Sequence, residues 1–207
     1  MVLAGGWGRR MQTARFVSPD AAAPTPTEKG LVCLYGRPLI TWALQGLPAQ
    51  RRHTYISANR CHHDYARYGQ VVPDDPALGV SVGPLQGVAS VLQICSTPWL
   101  MVVPVDVPAV PHRLFEQLAE GIAGAGHARL AYARTDVRSQ PLFMLVHVTL
   151  LPALRQYLSD GGRRVHAWIK AHGVAVSFSD RPPAFFNINT PADLREAARQ
   201  LRQSDRL

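Results

Sequence analysis

The run Trp99-Leu100-Met101-Val102-Val103-Pro104-Val105-Asp106-Val107-Pro108 is short, almost wholly apolar, and ends in a carboxylate set between two prolines. A continuous apolar stretch of this length, closed by proline, reads as a central strand of an α/β sheet over Leu100–Val103. Such strands belong to parallel sheets covered by helices on either side. Asp106 then stands at the carboxyl end of a central strand, where an α/β enzyme can hold a divalent cation that bridges phosphates. An aspartate that only caps a turn between prolines has the same sequence.

Outward from this run the pattern repeats. Strand-like segments fall at Met1–Leu3, Leu31–Leu34, Tyr55–Ala58, Val71–Val72, Leu130–Ala133, Leu142–Val148 and Val174–Phe178. Helical patterns lie between them at Leu39–Gly46, His62–Tyr68, Leu85–Ile94, Arg113–Ile122, Leu151–Leu158, Val165–Ala171 and Ala192–Arg202. Thr190-Pro191 supplies an N-cap and a first-turn proline for the last helix, with Asp193 near its positive end. The alternation predicts an α/β fold with a mainly parallel sheet. Arg134–Gln140 joins two strand-like runs without a helix, which predicts a hairpin and one antiparallel strand. The polar stretch Gln12–Glu28, with Pro19, Pro24 and Pro26, reads as a mobile loop. No internal repeat or interdomain linker is visible, so residues 1–207 read as one domain.

The 207 residues are long enough to bury a core without disulfides or a structural metal. Charged residues are 17% and hydrophobic residues 47%, which excludes wholesale disorder. Three scattered cysteines form no disulfide framework, the first residues lack the pattern of a signal peptide, and no apolar run spans a bilayer. The chain reads as soluble and cytoplasmic. Lys plus Arg number 22 against 14 Asp plus Glu, a net charge of +8. Such an excess fits a polyanionic partner, whether nucleic acid, acidic lipid or a phosphorylated small molecule, and equally fits an arginine-rich composition. Only Lys29 and Lys170 are lysines.

Ligands of open α/β sheets bind beyond the carboxyl ends of the strands, so the residues after each run carry the functional reading. Leu3-Ala4-Gly5-Gly6-Trp7-Gly8-Arg9-Arg10-Met11 follows the first strand; its glycines admit close backbone approach and its arginines bring cations. It is neither a P-loop nor the dinucleotide fingerprint, and a plain turn remains the alternative. Lys29 precedes the second strand and offers either a point contact to phosphate or an ordinary solvated ammonium. Asp74 and Asp75 follow another strand, Gly83-Pro84-Leu85-Gln86-Gly87 opens a helix, and Asn187-Ile188-Asn189 precedes the last one. Cys61-His62-His63-Asp64 is consecutive rather than spaced for metal binding.

In this order, Leu-Ala-Gly-Gly-x-Gly-Arg-Arg-Met, Lys-Gly, Gly-Arg-Pro-Leu-Ile, Asn-Arg, Pro-Asp, Gly-Pro-Leu-x-Gly, Pro-x-Asp-x-Pro and Asn-Ile-Asn-Thr-Pro, the sequence resembles the molybdenum cofactor guanylyltransferases (MobA-type). The resemblance runs from Leu3 to about Leu201. It implies a Rossmann-like, three-layer nucleotidyltransferase fold of the glycosyltransferase-A type and transfer of GMP from GTP to the terminal phosphate of molybdenum-molybdopterin, releasing pyrophosphate. Carried over, Leu3, Ala4, Gly5 and Gly6 would lie against guanosine, Arg10 and Lys29 would meet the triphosphate, and Asn59 and Asp74 would face base and ribose. Asp106 would hold Mg²⁺ and the phosphates, so that Arg10, Lys29 and Asp106 form the catalytic set. Arg163, Arg164, Asn187 and Asn189 would stand on the molybdopterin side. Ala4-Gly5-Gly6 follows the guanylyl form, whereas relatives that use CTP look like Leu-Ala-Ala-Gly. The partners implied are GTP, molybdenum-molybdopterin, other cofactor-biosynthesis proteins and recipient molybdoenzymes, with neither nucleic acid nor membrane. The alternatives are a related enzyme using another nucleotide or phosphorylated acceptor, and a non-catalytic nucleotide-binding relative. Compared with the family, Gln12–Glu28 is long and Gln140-Pro141 stands where His-Pro is frequent.

Overall fold

The computed structural model describes residues 1–5, 28–49, 53–79, 83–178 and 184–204. The main sheet has strands β1 (Val2–Leu3), β4 (Tyr55–Ser57), β5 (Gln70–Val72), β6 (Trp99–Pro104), β7 (Leu130–Arg134), β8 (Ser139–His147) and β9 (Val174–Ser177). They are ordered β5-β4-β1-β6-β8-β7-β9. All run parallel except β8, which pairs antiparallel with both β6 and β7. The hairpin read from Arg134–Gln140 therefore forms, and supplies the antiparallel strand.

Alternation along the strands fills two faces. Met101, Val103 and Val105 join Val2, Ile56, Leu114 and Leu118 on one side, while Leu100 and Val102 join Leu85, Val88, Leu154 and Trp168 on the other. Helices α1 (Leu39–Gln45) and α4 (Leu114–Gly124) belong to the first face. Helices α3 (Pro84–Ile94), α5 (Leu151–Ser159) and α6 (Val165–His172) cover the second. The result is the three-layer α/β architecture that the period-2 pattern of buried strands demands. A smaller cluster of Leu34, Leu39, Ile188, Leu194 and Ala197 docks the final helix α7 (Pro191–Ser204).

One expected strand needs correction. Leu31–Leu34 does not enter the main sheet. Lys29–Leu31 is a single 3₁₀ turn, and only Cys33–Leu34 (β2) is extended, paired antiparallel with Arg37–Pro38 (β3). Tyr35 and Gly36 between them have φ of 52° and 71°, the left-handed pair of a type I′ hairpin. A local turn thus captures the apolar run before it can reach the sheet. The short helix α2 (His62–Tyr65) likewise ends earlier than its pattern.

Two features open a crevice at the carboxyl ends of the parallel strands. Strand order reverses between β1 and β6, which run parallel, the switch point at which α/β sheets bind ligands. The β6–β8 pairing also stops at Val102–Met144. On the β7 side, Tyr132 pairs with Met144 and Ala133 with Gln140, so residues 141–143 face no partner and bulge. Among the described residues no helix is long and apolar enough to cross a membrane.

Candidate active site

Each strand end delivers one side of a cavity of about 580 Å³. Beyond β1, the Ala4 N–H donates to the Ser57 carbonyl at 2.9 Å and the Val105 N–H to the Leu3 carbonyl at 3.0 Å. These bonds hold the Leu3–Gly5 backbone between β4 and β6. Leu3 and Gly5 line the cavity, whereas the Ala4 side chain is buried beneath it. Gly6 and Arg10 lie outside the described residues, as does the expected loop apart from Glu28.

On the β4–β5 side, Asn59 and Asp74 form a two-point pair. The Asn59 Nδ2 donates to Asp74 Oδ2 at 2.8 Å, and the Asp74 N–H donates to Asn59 Oδ1 at 2.8 Å. Burial pushes the Asp74 carboxyl above its ordinary value, partly offset by the Asn59 bond. Next to it, Gln86 Nε2 donates to the carbonyls of Asp75 and Gly79, tying the 75–79 segment to α3. Gly87 makes the close approach of α3 possible: a Cβ there would stand 2.2 Å from Ser57 Oγ and 3.3 Å from Asp74 Oδ1. Any side chain at 87 would push α3 off the cavity wall.

The raised Asp74 value has a testable sign. A carboxyl harder to ionise in the folded state contributes stability below its unfolded pKa, and that contribution disappears as pH rises through the folded one. Asp74→Asn, which keeps an acceptor for Asn59 and discards the buried charge, should therefore unfold at or above the wild-type temperature at pH 7. Its advantage should shrink as pH falls toward the ordinary 3.8. Thermal melts across this range check the sign, and an advantage growing toward acid pH is the contrary result.

The opposite side holds the strongest polar contact. Lys29 Nζ donates to Asp106 Oδ2 at 2.6 Å and to Asn189 Oδ1 at 2.7 Å. The Lys29 and Asp106 side chains are only 11% and 20% exposed, so water screens this ion pair poorly. Lys29 is thus no solvated surface lysine. Among the described residues the buried Asp106 Oδ1 has no partner, an oxygen whose chemistry suits a hard cation or a donor from a ligand.

The Asn187–Asn189 segment is held from both ends. The Ile188 N–H donates to the Asp106 carbonyl at 2.8 Å. The Asp193 carboxylate accepts from the Asn189 and Thr190 N–H groups at 2.9 and 2.8 Å, while Thr190 Oγ1 caps Asp193 N–H. These amides hold the Asp193 carboxyl below the ordinary carboxylate value, outweighing the upward push of burial. The N-cap read at Thr190 is in place, and Asp193 closes it into a reciprocal capping box. Upstream, Phe185 adopts φ 59° and packs edge-on against Phe143 and Phe178. Rings on two sides fix a backbone conformation that a bulky residue otherwise avoids.

Asn187, Asn189, Gln140 and the bulged 141–143 segment line the cavity. Arg163 and Arg164 do not. Arg163 donates to the Leu158 and Gly162 carbonyls in the α5–α6 turn, and Arg164 begins α6. Among the described residues no group of three or more His, Cys, Asp or Glu suits a metal, Cys61-His62-His63-Asp64 included. Residues absent from the sequence-based site include Ser57, Gly87 and Gln140. The Gly-Pro-Leu-x-Gly motif carried a signal for Gly87, whereas nothing marked Ser57.

A family model described as a MobA-like NTP transferase domain matches residues 1–176. The chain is 37% identical over 196 residues to a molybdenum cofactor guanylyltransferase of Pasteurella multocida, covering 94% of this chain and 96% of that protein. It is 38% identical over 195 residues to one of Mannheimia succiniciproducens, covering 94% and 95%. Among solved structures, molybdopterin-guanine dinucleotide biosynthesis protein A from Archaeoglobus fulgidus superposes with a TM-score of 0.71 at 24% identity, covering 98% of this chain and 97% of that one.

Proposed function

The chain belongs to the MobA-like NTP transferase family, and from that premise we infer that it transfers GMP from GTP to the terminal phosphate of molybdenum-molybdopterin. The products are the guanine dinucleotide cofactor and pyrophosphate. Residues 1–207 would serve as one catalytic domain acting in the cytoplasm. The observation that carries the reading is a cavity at the sheet's switch point with the Asn59–Asp74 pair on one wall and the Lys29–Asp106–Asn189 cluster on the other.

In the proposed reaction an acceptor phosphate oxygen attacks the α-phosphorus of GTP, and the bond to the bridging oxygen of pyrophosphate breaks. The acceptor is already anionic at neutral pH, so the site needs no strong general base; it must hold the groups in line and offset their charge. The Lys29 ammonium, with two acceptors at present, would exchange one for a phosphate oxygen. Asn59 and Asp74 would orient the nucleoside, the carboxylate accepting from the donor edge of guanine. Gly5 would let the backbone approach the nucleotide, with Leu3 flanking it. Asn187 and Asn189 would stand at the acceptor side.

The unpartnered Asp106 Oδ1 fits Mg²⁺, which commonly takes one or two protein carboxylates and completes its shell with phosphates and water. Bound there by Asp106, the cation would neutralise charge on the triphosphate. Pyrophosphate release from GTP, CTP, UTP and ATP, each with molybdenum-molybdopterin, tests the reading. GTP should be strongly preferred, and a preference for CTP or UTP would overturn it.

A further inference from the structure

Glu28 and Arg60 form an ion pair that the reaction above does not use. Arg60 Nε donates to Glu28 Oε1 at 2.5 Å, and the glutamate side chain is only 3% exposed. Withdrawing a carboxylate this far from water is costly, and buried pairs often add little net stability. Its place between two functional segments offers a different rationale.

Glu28 immediately precedes Lys29, and Arg60 immediately follows Asn59. The pair therefore joins the 3₁₀ turn that carries the phosphate-side cation to the strand end that carries the base-side amide. The turn is also hemmed in sterically. A Cβ at Gly30 would come within 2.6 Å of the Tyr65 hydroxyl and 2.8 Å of Val105 Cγ2. Packing thus limits the turn on one side, and the Arg60–Glu28 bond ties it to the residue that follows Asn59.

We propose that Glu28 and Arg60 are positioning residues that hold Lys29 at a set distance from the Asn59–Asp74 pair. One nucleotide then meets both walls without reorganisation of the turn. The proposal rests on the nucleotidyl-transfer reading for its ligand class. It makes the pair act through Lys29, so its effect must depend on that lysine being present.

A double-mutant cycle tests this dependence. GTP, CTP, UTP and ATP are first titrated onto the wild-type chain with Mg²⁺, and the tightest binder is used throughout. Arg60→Met and Glu28→Gln are each measured for nucleotide Kd and for unfolding temperature, alone and combined with Lys29→Ala. Each should weaken binding about fivefold beside Lys29 and less than about twofold without it, the size of coupling expected of groups acting through a shared partner. Glu28→Gln keeps an acceptor and buries no unpaired charge, so it remains informative if Arg60→Met fails to fold. Equal losses in both backgrounds, or no loss beside Lys29, overturn the proposal and leave a purely structural pair. Coupling with a nucleotide other than GTP supports the positioning pair while refuting the guanylyl reading. No binding of any nucleotide refutes both.

Discussion

Asparagine in place of Asp106 is expected to lower turnover by about a thousandfold while leaving the chain folded, the scale of losing a principal electrostatic contact in a transfer site. The two carboxylate oxygens sit in different surroundings, and the substitution separates them. Oδ2 accepts from the Lys29 ammonium, and an amide oxygen can still do so. Oδ1 is buried without a partner, and the substitution replaces it with an NH₂ group that repels a cation and cannot coordinate it. The backbone at 106 stays anchored, because its carbonyl accepts from Ile188 N–H whatever the side chain. Alanine removes both oxygens and leaves the buried Lys29 ammonium donating to Asn189 without its counter-charge, adding a destabilisation of about 1–3 kcal/mol. Pyrophosphate release and a thermal melt on the same preparations check both statements. Turnover by Asp106→Asn within twofold of wild type would remove Asp106 from the mechanism.

Lys29→Met is expected to lower turnover by about 10²- to 10³-fold and to raise the KM for GTP, because the buried ammonium on the Asp106 wall is gone. The thioether fills the stem's volume but leaves the Asp106 carboxylate without its counter-charge, so the unfolding temperature should also fall. Lys29→Arg should recover little. The slot accepts a compact head held by oxygens at 2.6 and 2.7 Å, and a planar guanidinium cannot direct its fork at both. Because the two residues share one contact, Lys29→Met with Asp106→Asn should lose about as much turnover as the worse single change. Steady-state kinetics on the four proteins decides this; additive losses would mean that the residues act separately.

Much of the architecture is legible in the sequence because it follows from local patterns. The run around Leu100–Val103 becomes Trp99–Pro104, lengthened by one residue at each end. The Thr190–Asp193 cap is equally local and forms as its residues dictate. Leu31–Leu34 misleads because an apolar run reveals nothing about its partner, and the Tyr35-Gly36 turn folds it back on Arg37–Pro38. In the site, Asp106 stands out through its flanking prolines. Lys29 and Asn189 are also marked in the sequence, but their clustering with Asp106 is not: Lys29 lies 77 positions before Asp106 and Asn189 lies 83 after it, and only tertiary folding brings them together. Glu28 and Arg60, 32 positions apart, are hidden for the same reason. Arg163 and Arg164 illustrate the converse, since two adjacent cations look available in sequence while one satisfies the carbonyls of its own turn.

The bulge in β8 bears on how such a site can diversify. Residues 141–143 have no partner on β7, and Pro141 has no N–H to offer one. Pro141, Leu142 and Phe143 all line the cavity, but Pro141 and Leu142 are half-buried while Phe143 is buried in the core against Phe185. Replacing either of the first two alters the wall without breaking a ladder bond or shifting the register of Met144 against Val102. Lys29 and Asp106 sit across the cavity on other elements, insulated from such changes. The fold therefore separates a replaceable stretch of cavity wall from the Lys29–Asp106 pair, so the shape of the cavity can change at two positions without disturbing those charges.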